Sequence, residues 1–225
     1  ARPRWVNYLK EQAHIPIDMA FAFHSDAGTT PDDSIIGTLG IYMSKSNDGI
    51  YTNRKSREIA RDLTDMIQTQ ILSDVRKVYN PQWSRRGMWN QSYIEARIPD
   101  VPTMLLELLS HQNFADMRYG NDPRFKFFVS RSIYKGILRY LSSQYNVPYT
   151  VQPLPVEAFS VEFADEDTPD VVLSWQPVTD SLELSADPDY YIVYTRQDDG
   201  GFDNGIRVDG TTVRMTQQRG HTYSY

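Results

Sequence analysis

The spacing of apolar residues over the first 145 positions alternates between that of a helix and that of a strand. The segments with helical spacing are residues 5–13, 54–79 and 122–141, and the short apolar runs typical of strands are residues 17–23, 39–43 and 101–106. Buried strands that alternate with helices are typical of a parallel sheet covered on both faces. The pattern therefore predicts an α/β domain, a three-layer sandwich around a mostly parallel sheet.

Local signals refine two of these helices. Thr52 or Asn53 is a candidate N-cap for the second helix, and Asp122-Pro123 supplies the cap and first-turn residues expected where the third begins. Gly136 lies inside the third helix, where glycine costs about 1 kcal/mol relative to alanine. A close approach of this helix to the sheet would explain the glycine.

The apolar spacing changes after residue 155. Short runs rich in β-branched and aromatic residues are separated by turn clusters such as Asp198-Asp-Gly-Gly201. The runs are residues 171–175, 190–195, 206–208 and 212–215. This pattern predicts a C-terminal all-β sandwich of the immunoglobulin-like type.

Charge and proline content indicate a boundary between two domains. Residues 1–150 hold 19 Lys and Arg against 15 Asp and Glu, a net of +4, whereas residues 151–225 hold 4 against 14, a net of −10. Three prolines fall in residues 145–155, and proline-rich polar segments form stiff linkers. We therefore expect domains at 1–146 and 156–225, joined by a linker at 147–155.

Composition excludes several kinds of protein. The chain has no cysteine, which excludes disulfides, thiolate metal sites and cysteine nucleophiles. No apolar run approaches the ~18–20 residues that span a bilayer, so we expect no transmembrane helix. The formal net charge of −6 argues against binding to nucleic acid.

A polar residue follows each of two predicted strands. His24 comes directly after Phe21-Ala-Phe23, and Glu107 comes directly after Met104-Leu-Leu106. In a parallel sheet both would emerge at the carboxyl ends of strands, where open α/β sheets place their ligands. An imidazole and a carboxylate there could bind a metal or share a proton transfer. The alternative is a hydrogen-bonded histidine and a structural ion pair, and the residue pattern leaves both open.

The segments around these two residues resemble a known family. Ala22-Phe-His-Ser-Asp-Ala27 resembles the Ser-Ile-His-Ala-Asn-Ala motif of the zinc-dependent N-acetylmuramoyl-L-alanine amidases, and Pro102-Thr-Met-Leu-Leu-Glu-Leu108 resembles their Pro-Ala-Val-Leu-Val-Glu-Leu motif. Asn113 matches the asparagine that follows, and residues 122–141 resemble the family's terminal helix. The likeness covers roughly residues 3–142.

This resemblance implies an activity and a cofactor. In the family, two histidines and one glutamate hold a zinc ion, a further glutamate is the general acid or base, and the amide between N-acetylmuramic acid and L-alanine is hydrolysed. Carried over, His24 is a zinc ligand and Glu107 is the catalytic glutamate. Arg97 is a candidate for binding the anionic stem peptide, and an ordinary surface arginine is the equally favoured alternative. The implied protein is an exported bacterial cell-wall hydrolase, periplasmic, cell-surface or extracellular, whose substrate is peptidoglycan.

This sequence departs from the family pattern at several places. The family's first histidine and its ligand glutamate have no counterpart before His24, so we expect an N-terminally incomplete catalytic domain and an inactive 225-residue chain. Leu109-Ser-His111 replaces Gly-Phe-Leu, and a surface or packing role for His111 is the more favoured interpretation. Residues 85–89 read as a basic loop, in which Trp89 either stacks on a sugar or covers the core, with the core slightly favoured.

The acidic C-terminal segment resembles a fibronectin type III domain. Leu173-Ser-Trp-Gln-Pro177 is similar to the tryptophan motif of the second strand, and residues 190–194 are similar to the third strand. Tyr223 is in the position of the tyrosine corner, and the chain stops two residues later. The resemblance implies a partial, C-terminally incomplete domain of this kind.

Two other functions remain open at this level. A polysaccharide lyase would need a base and a group that neutralises a uronate carboxylate, which the many tyrosines and arginines could supply. A non-catalytic wall- or glycan-binding protein on the amidase scaffold would account for the missing metal residues.

Overall fold

The chain divides into two units, Ala1–Tyr149 and Thr150–Tyr225, and the computed structural model describes residues 2–225. The first unit is mixed α/β with a mostly parallel central sheet, and the second is built from small antiparallel sheets. The helices of the first unit are α1 (Arg2–Glu11), α2 (Ile59–Val78), α3 (Ile94–Arg97), α4 (Phe114–Gly120) and α5 (Pro123–Tyr145). Its strands are β1 (Ala20–Asp26), β2 (Thr38–Tyr42), β3 (Arg85–Asn90) and β4 (Thr103–Ser110).

The sheet of the first unit has the order β1-β4-β2-β3. β1 pairs with β4 and β2 pairs with β3 in parallel, whereas β2 and β4 are antiparallel. The mostly parallel sheet expected from the sequence is therefore confirmed. The prediction that residues 85–89 form a loop is wrong, because these residues belong to edge strand β3. The favoured role of Trp89 in covering the core is also wrong, because its side chain is 43% exposed.

One face of the sheet packs against α2 and α5. Along α2 the buried residues recur three or four positions apart, as the sequence pattern predicted. The central residues of this core are Leu63, Ile67, Ile71, Val75, Trp83, Met104, Leu106, Phe125 and Val129. Gly136 on α5 permits the close approach, since a Cβ there would lie 2.7 Å from Cα of Ile67. Its neighbour is thus helix α2 and not the sheet, which corrects the expected partner.

The helix-start signals have different outcomes. The Asp122 side chain accepts a hydrogen bond from the Arg124 backbone N–H, so the predicted cap of α5 is confirmed. The expected cap of the second helix is wrong, because α2 begins at Ile59. Thr52 instead donates its backbone N–H and its hydroxyl to the Asp100 carboxylate.

The second unit contains short antiparallel sheets. Its strands are β5 (Glu157–Phe163), β6 (Asp170–Gln176), β7 (Tyr191–Val193), β8 (Arg196–Gln197), β9 (Ile206–Val208), β10 (Thr212–Thr216) and β11 (Tyr223–Ser224). They pair as β10-β6-β5, β11-β8 and β7-β9. Trp175 is buried and packs edge-on against Tyr191. The Tyr223 hydroxyl accepts a hydrogen bond from the backbone N–H of Gln218, and the immunoglobulin-like and fibronectin type III assignments stay predictions.

Within residues 2–225, no helix combines the length and apolar character needed to cross a membrane.

Candidate functional site

His24 and Glu107 lie side by side on one face of the sheet. They are direct partners in the parallel register of β1 and β4, and Leu39 of β2 pairs with Glu107 on the other side. Because side chains alternate between the two faces of a strand, this face is opposite the one that packs on α2 and α5. The sequence order thus brings together an imidazole and a carboxylate that are 83 positions apart in the chain.

The two residues lie inside their strands and not after them. β1 continues to Asp26, and β4 continues to Ser110. The expectation that each side chain emerges beyond the end of a strand is therefore wrong. On this face β1 carries the polar side chains of His24 and Asp26, whereas on β4 Glu107 lies between the buried Leu105 and Leu109 and interrupts the apolar pattern. Backbone pairing holds His24 and Glu107 more firmly than a loop would.

Glu107 has an incompletely satisfied carboxylate. Its Oε2 atom is buried and has no hydrogen-bond partner in the part of the chain that the structure describes. Burial raises the pKa of Glu107, and the charge of Asp26 adds to that effect, whereas His24, Arg86 and His111 work against it. A carboxylate that is costly to ionise but faces an imidazole is suited to accept and return a proton.

Glu95 contacts His24 from the short helix α3. Its Oε2 atom lies 2.6 Å from Nε2 of His24, and both side chains are partly buried. The sequence reasoning did not find Glu95. The available signal was weak: a carboxylate two positions before Arg97, in a four-residue helix with no apolar repeat.

Arg97 lies on the same helix as Glu95, with its side chain exposed. Its backbone carbonyl accepts a hydrogen bond from Nη1 of Arg57 at 3.3 Å. The structure therefore joins Arg97 to the site through the backbone of α3. Its predicted contact with a stem peptide stays a prediction.

Charged and polar groups extend the site beyond His24. Arg86 on β3 donates to Oδ2 of Asp26 at 2.5 Å. Burial acts to raise the pKa of Asp26, but hydrogen bonds from Arg86 and from the Ala27 backbone outweigh it, so this pKa is lowered. Nδ1 of His111 lies 3.1 Å from the Ser25 hydroxyl, which brings His111 next to the site without burying it.

His24 is open to a groove. A cavity of about 380 Å³ is lined by His24 together with Phe23 and the α5 residues Phe125 and Val129, so it lies on the α5 side of the sheet, and Glu107 is not part of its lining. A second, shallower cleft of about 700 Å³ is lined by Tyr93 and Glu95. His24 and Glu95 therefore each border a cavity that is open to solvent, and the two cavities are different ones.

The described residues do not form a complete metal site. Among residues 2–225, no group of three His, Cys, Asp or Glu side chains is arranged to hold a metal ion. His24 and the unpaired oxygen of Glu107 are donor types that zinc accepts, but a catalytic zinc takes three protein ligands. A zinc ion at His24 would need further ligands that the described residues do not supply.

Comparison with known proteins gives structural neighbours only. No protein-family model matches the chain, and no curated protein matches it. An N-acetylmuramoyl-L-alanine amidase from Clostridium difficile 630 matches with 20% identity and a TM-score of 0.47, over 63% of this chain and 66% of that structure.

Two further solved structures match in the same way. The amidase AmiC2 of Nostoc punctiforme matches with 16% identity and a TM-score of 0.45, over 60% of this chain and 62% of that one. Ami1 from Mycobacterium smegmatis matches with 18% identity and a TM-score of 0.49, over 64% of this chain and 60% of that one. The chain thus spans just under two thirds of these structures, and such distant similarity assigns no activity to it.

Proposed function

We propose that this chain is part of a cell-wall hydrolase that cleaves the amide between N-acetylmuramic acid and the L-alanine of peptidoglycan. The observation that carries the proposal is the pairing of His24 and Glu107 on one face of the sheet, with Oε2 of Glu107 buried and unpartnered. The sequence motifs around both residues supply the substrate class. The proposed protein acts outside the cytoplasm, because peptidoglycan is located there.

Glu107 is the proposed general base. Its carboxylate would take a proton from the water that attacks the amide carbonyl and deliver that proton to the departing amine of L-alanine. The raised pKa of Glu107 favours the first step, since a carboxylate with a higher pKa is a stronger base and keeps the proton until the amine departs. Arg97 is the proposed contact for a carboxylate of the stem peptide.

Zinc is the proposed cofactor, with His24 as one of its ligands. Such an ion, when bound, polarises the amide carbonyl and acidifies the attacking water. Because residues 2–225 offer no three-ligand group, we propose that the chain of 225 residues alone hydrolyses peptidoglycan little or not at all.

The second candidate function is binding to peptidoglycan without catalysis. The lack of a three-ligand group within residues 2–225 favours it. Metal analysis and turnover assays on the longest natural form of the protein separate the two candidates. Stoichiometric zinc together with release of stem peptide supports the hydrolase, whereas retention on peptidoglycan with neither zinc nor turnover supports the binding protein.

A further inference from the structure

We infer that Glu95 is a positioning residue, which holds the His24 imidazole in one orientation with the proton on Nε2. The inference rests on the proposed function in assigning His24 a part in the reaction. Its geometric basis is independent of that function: Oε2 of Glu95 lies 2.6 Å from Nε2 of His24. An ionised carboxylate only accepts hydrogen bonds, so the nitrogen that faces it carries the hydrogen.

This contact determines what the other ring nitrogen can do. In a neutral imidazole one nitrogen is a donor and the other is an acceptor. With Nε2–H directed at Glu95, Nδ1 keeps its lone pair and is the atom that can bind a cation or take a proton. A carboxylate bonded to the far nitrogen is the usual way in which proteins fix the orientation of a functional histidine.

The helix that carries Glu95 is firmly anchored. Arg57, which is 1% exposed, donates to the carbonyl of Arg97 and to that of Pro99. The Asn7 side chain donates to the Ile98 carbonyl at 3.0 Å and accepts from the Asp100 backbone N–H at 2.8 Å. A four-residue helix has little stability of its own, so these tertiary contacts hold it in place.

The two carboxylates beside His24 thus have different environments. Glu95 is paired with the imidazole, whereas Oε2 of Glu107 is buried and without a partner among residues 2–225. Because Glu95 satisfies Nε2, the imidazole does not need Glu107 as its partner. Glu107 therefore takes no part in the contact that orients His24.

Nuclear magnetic resonance of the isotope-labelled 225-residue chain tests this inference without any catalysis. The chain has four histidines, so each ring is assigned by replacing His14, His111 and His221 in turn. At low temperature and at a pH where the imidazole is neutral, we expect a far-downfield ring N–H proton on Nε2 of His24, and an acceptor-type nitrogen shift at Nδ1. Glu95→Ala removes the proton signal by exposing it to exchange with water, and Glu95→Gln moves it upfield.

Controls separate this role from a general effect on folding. Glu11→Ala removes an exposed carboxylate at the end of α1 and leaves the His24 signal unchanged. His221, whose Nδ1 lies 2.7 Å from Oδ2 of Asp198, provides an internal comparison with the opposite nitrogen protonated. A His24 ring protonated on Nδ1, or a signal unchanged in folded Glu95→Ala and Glu95→Gln, overturns the inference. If the signal behaves as expected but the longest natural form cleaves no peptidoglycan, the proposed function fails and the positioning contact stands.

Discussion

At the scale of single residues, Glu107 is placed where its charge costs free energy. Oε2 is buried without a hydrogen-bond partner in the described part of the chain, and burial raises the pKa of the carboxyl group. Leucine or methionine would be more stable at this position in a buried strand. Groups with a perturbed pKa of this kind are more frequent at functional sites than elsewhere in proteins.

The first prediction is that Glu107→Gln raises the stability of the fold at neutral pH, by on the order of 1 kcal/mol. The pKa of Glu107 is higher in the folded than in the unfolded protein, so the folded state loses stability as pH rises through that interval and the carboxyl group ionises. Glutamine does not ionise. The advantage of the variant is therefore largest above the folded pKa and disappears below the unfolded pKa.

Urea unfolding at several pH values measures this effect. Glu11→Gln, at an exposed position on α1, is the matched control and should be neutral. A Glu107→Gln variant that is less stable than the native chain at neutral pH, or a gain that does not vary with pH, contradicts the environment assigned to Glu107.

The sequence identified His24 and Glu107 because each ends an apolar run, and a polar residue there is conspicuous. The sequence placed both at the carboxyl ends of strands in a parallel sheet, and the structure adds that their strands are neighbours. Glu95 could not be found in this way. Its role depends on where α3 lies, and that position is set by contacts from Arg57 and Asn7, which are 38 and 88 positions earlier in the chain.

At the scale of elements, α2 and α5 approach each other closely at Gly136, where the sequence alone suggested an approach of α5 to the sheet. Gly136 costs α5 about 1 kcal/mol relative to alanine, yet a Cβ there would lie 2.7 Å from Cα of Ile67. Because that neighbour is backbone, it cannot move aside as a flexible side chain would. The buried Lys135–Asp74 ion pair, at 2.9 Å, joins the same two helices.

We predict that Gly136→Ala destabilises the protein by about 1–2 kcal/mol, because overpacking exceeds the gain in helix propensity. Ser130→Ala, at an exposed position on the same helix, is the control. Chemical denaturation of both variants gives the free energies of unfolding. An increase in stability for Gly136→Ala would show that the helices are farther apart than the structure has them.

Elements with strong local signals were predictable and the others were not. α5 has both a cap at Asp122 and a long apolar repeat, so its beginning was correct. The sequence of β3 contains two arginines and a glycine, which an edge strand tolerates. Its sequence therefore resembles that of a loop. The start of α2 was misplaced because Thr52, a good capping residue, binds Asp100 instead, a contact between distant parts of the chain.

At the scale of the whole molecule, the two units have separate hydrophobic cores. The core around Ile67 and Ile71 lies within Ala1–Tyr149, and the core around Leu173 and Trp175 lies within Thr150–Tyr225. A segment with its own core folds independently in most proteins. The difference in net charge between the two parts of the sequence is consistent with separate surfaces.

We predict that residues 1–149, produced alone, fold cooperatively and keep the His24 environment. The expected result is a single unfolding transition, dispersed methyl signals from Ile67 and Ile71, and the same ring N–H proton of His24 as in the longer chain. A non-cooperative transition with collapsed methyl signals would show that the first unit depends on the second.

The central claim is that Glu107, beside His24, is the base of an amide hydrolase, and the release of stem peptides from purified peptidoglycan tests it most directly. The longest natural form of the protein, supplied with zinc, is predicted to release peptides that begin with L-alanine, whereas Glu107→Gln loses at least ~100-fold in rate while remaining folded. Glu11→Gln should keep the native rate. Failure of the native protein to release such peptides, or an unchanged rate in Glu107→Gln, would contradict the claim.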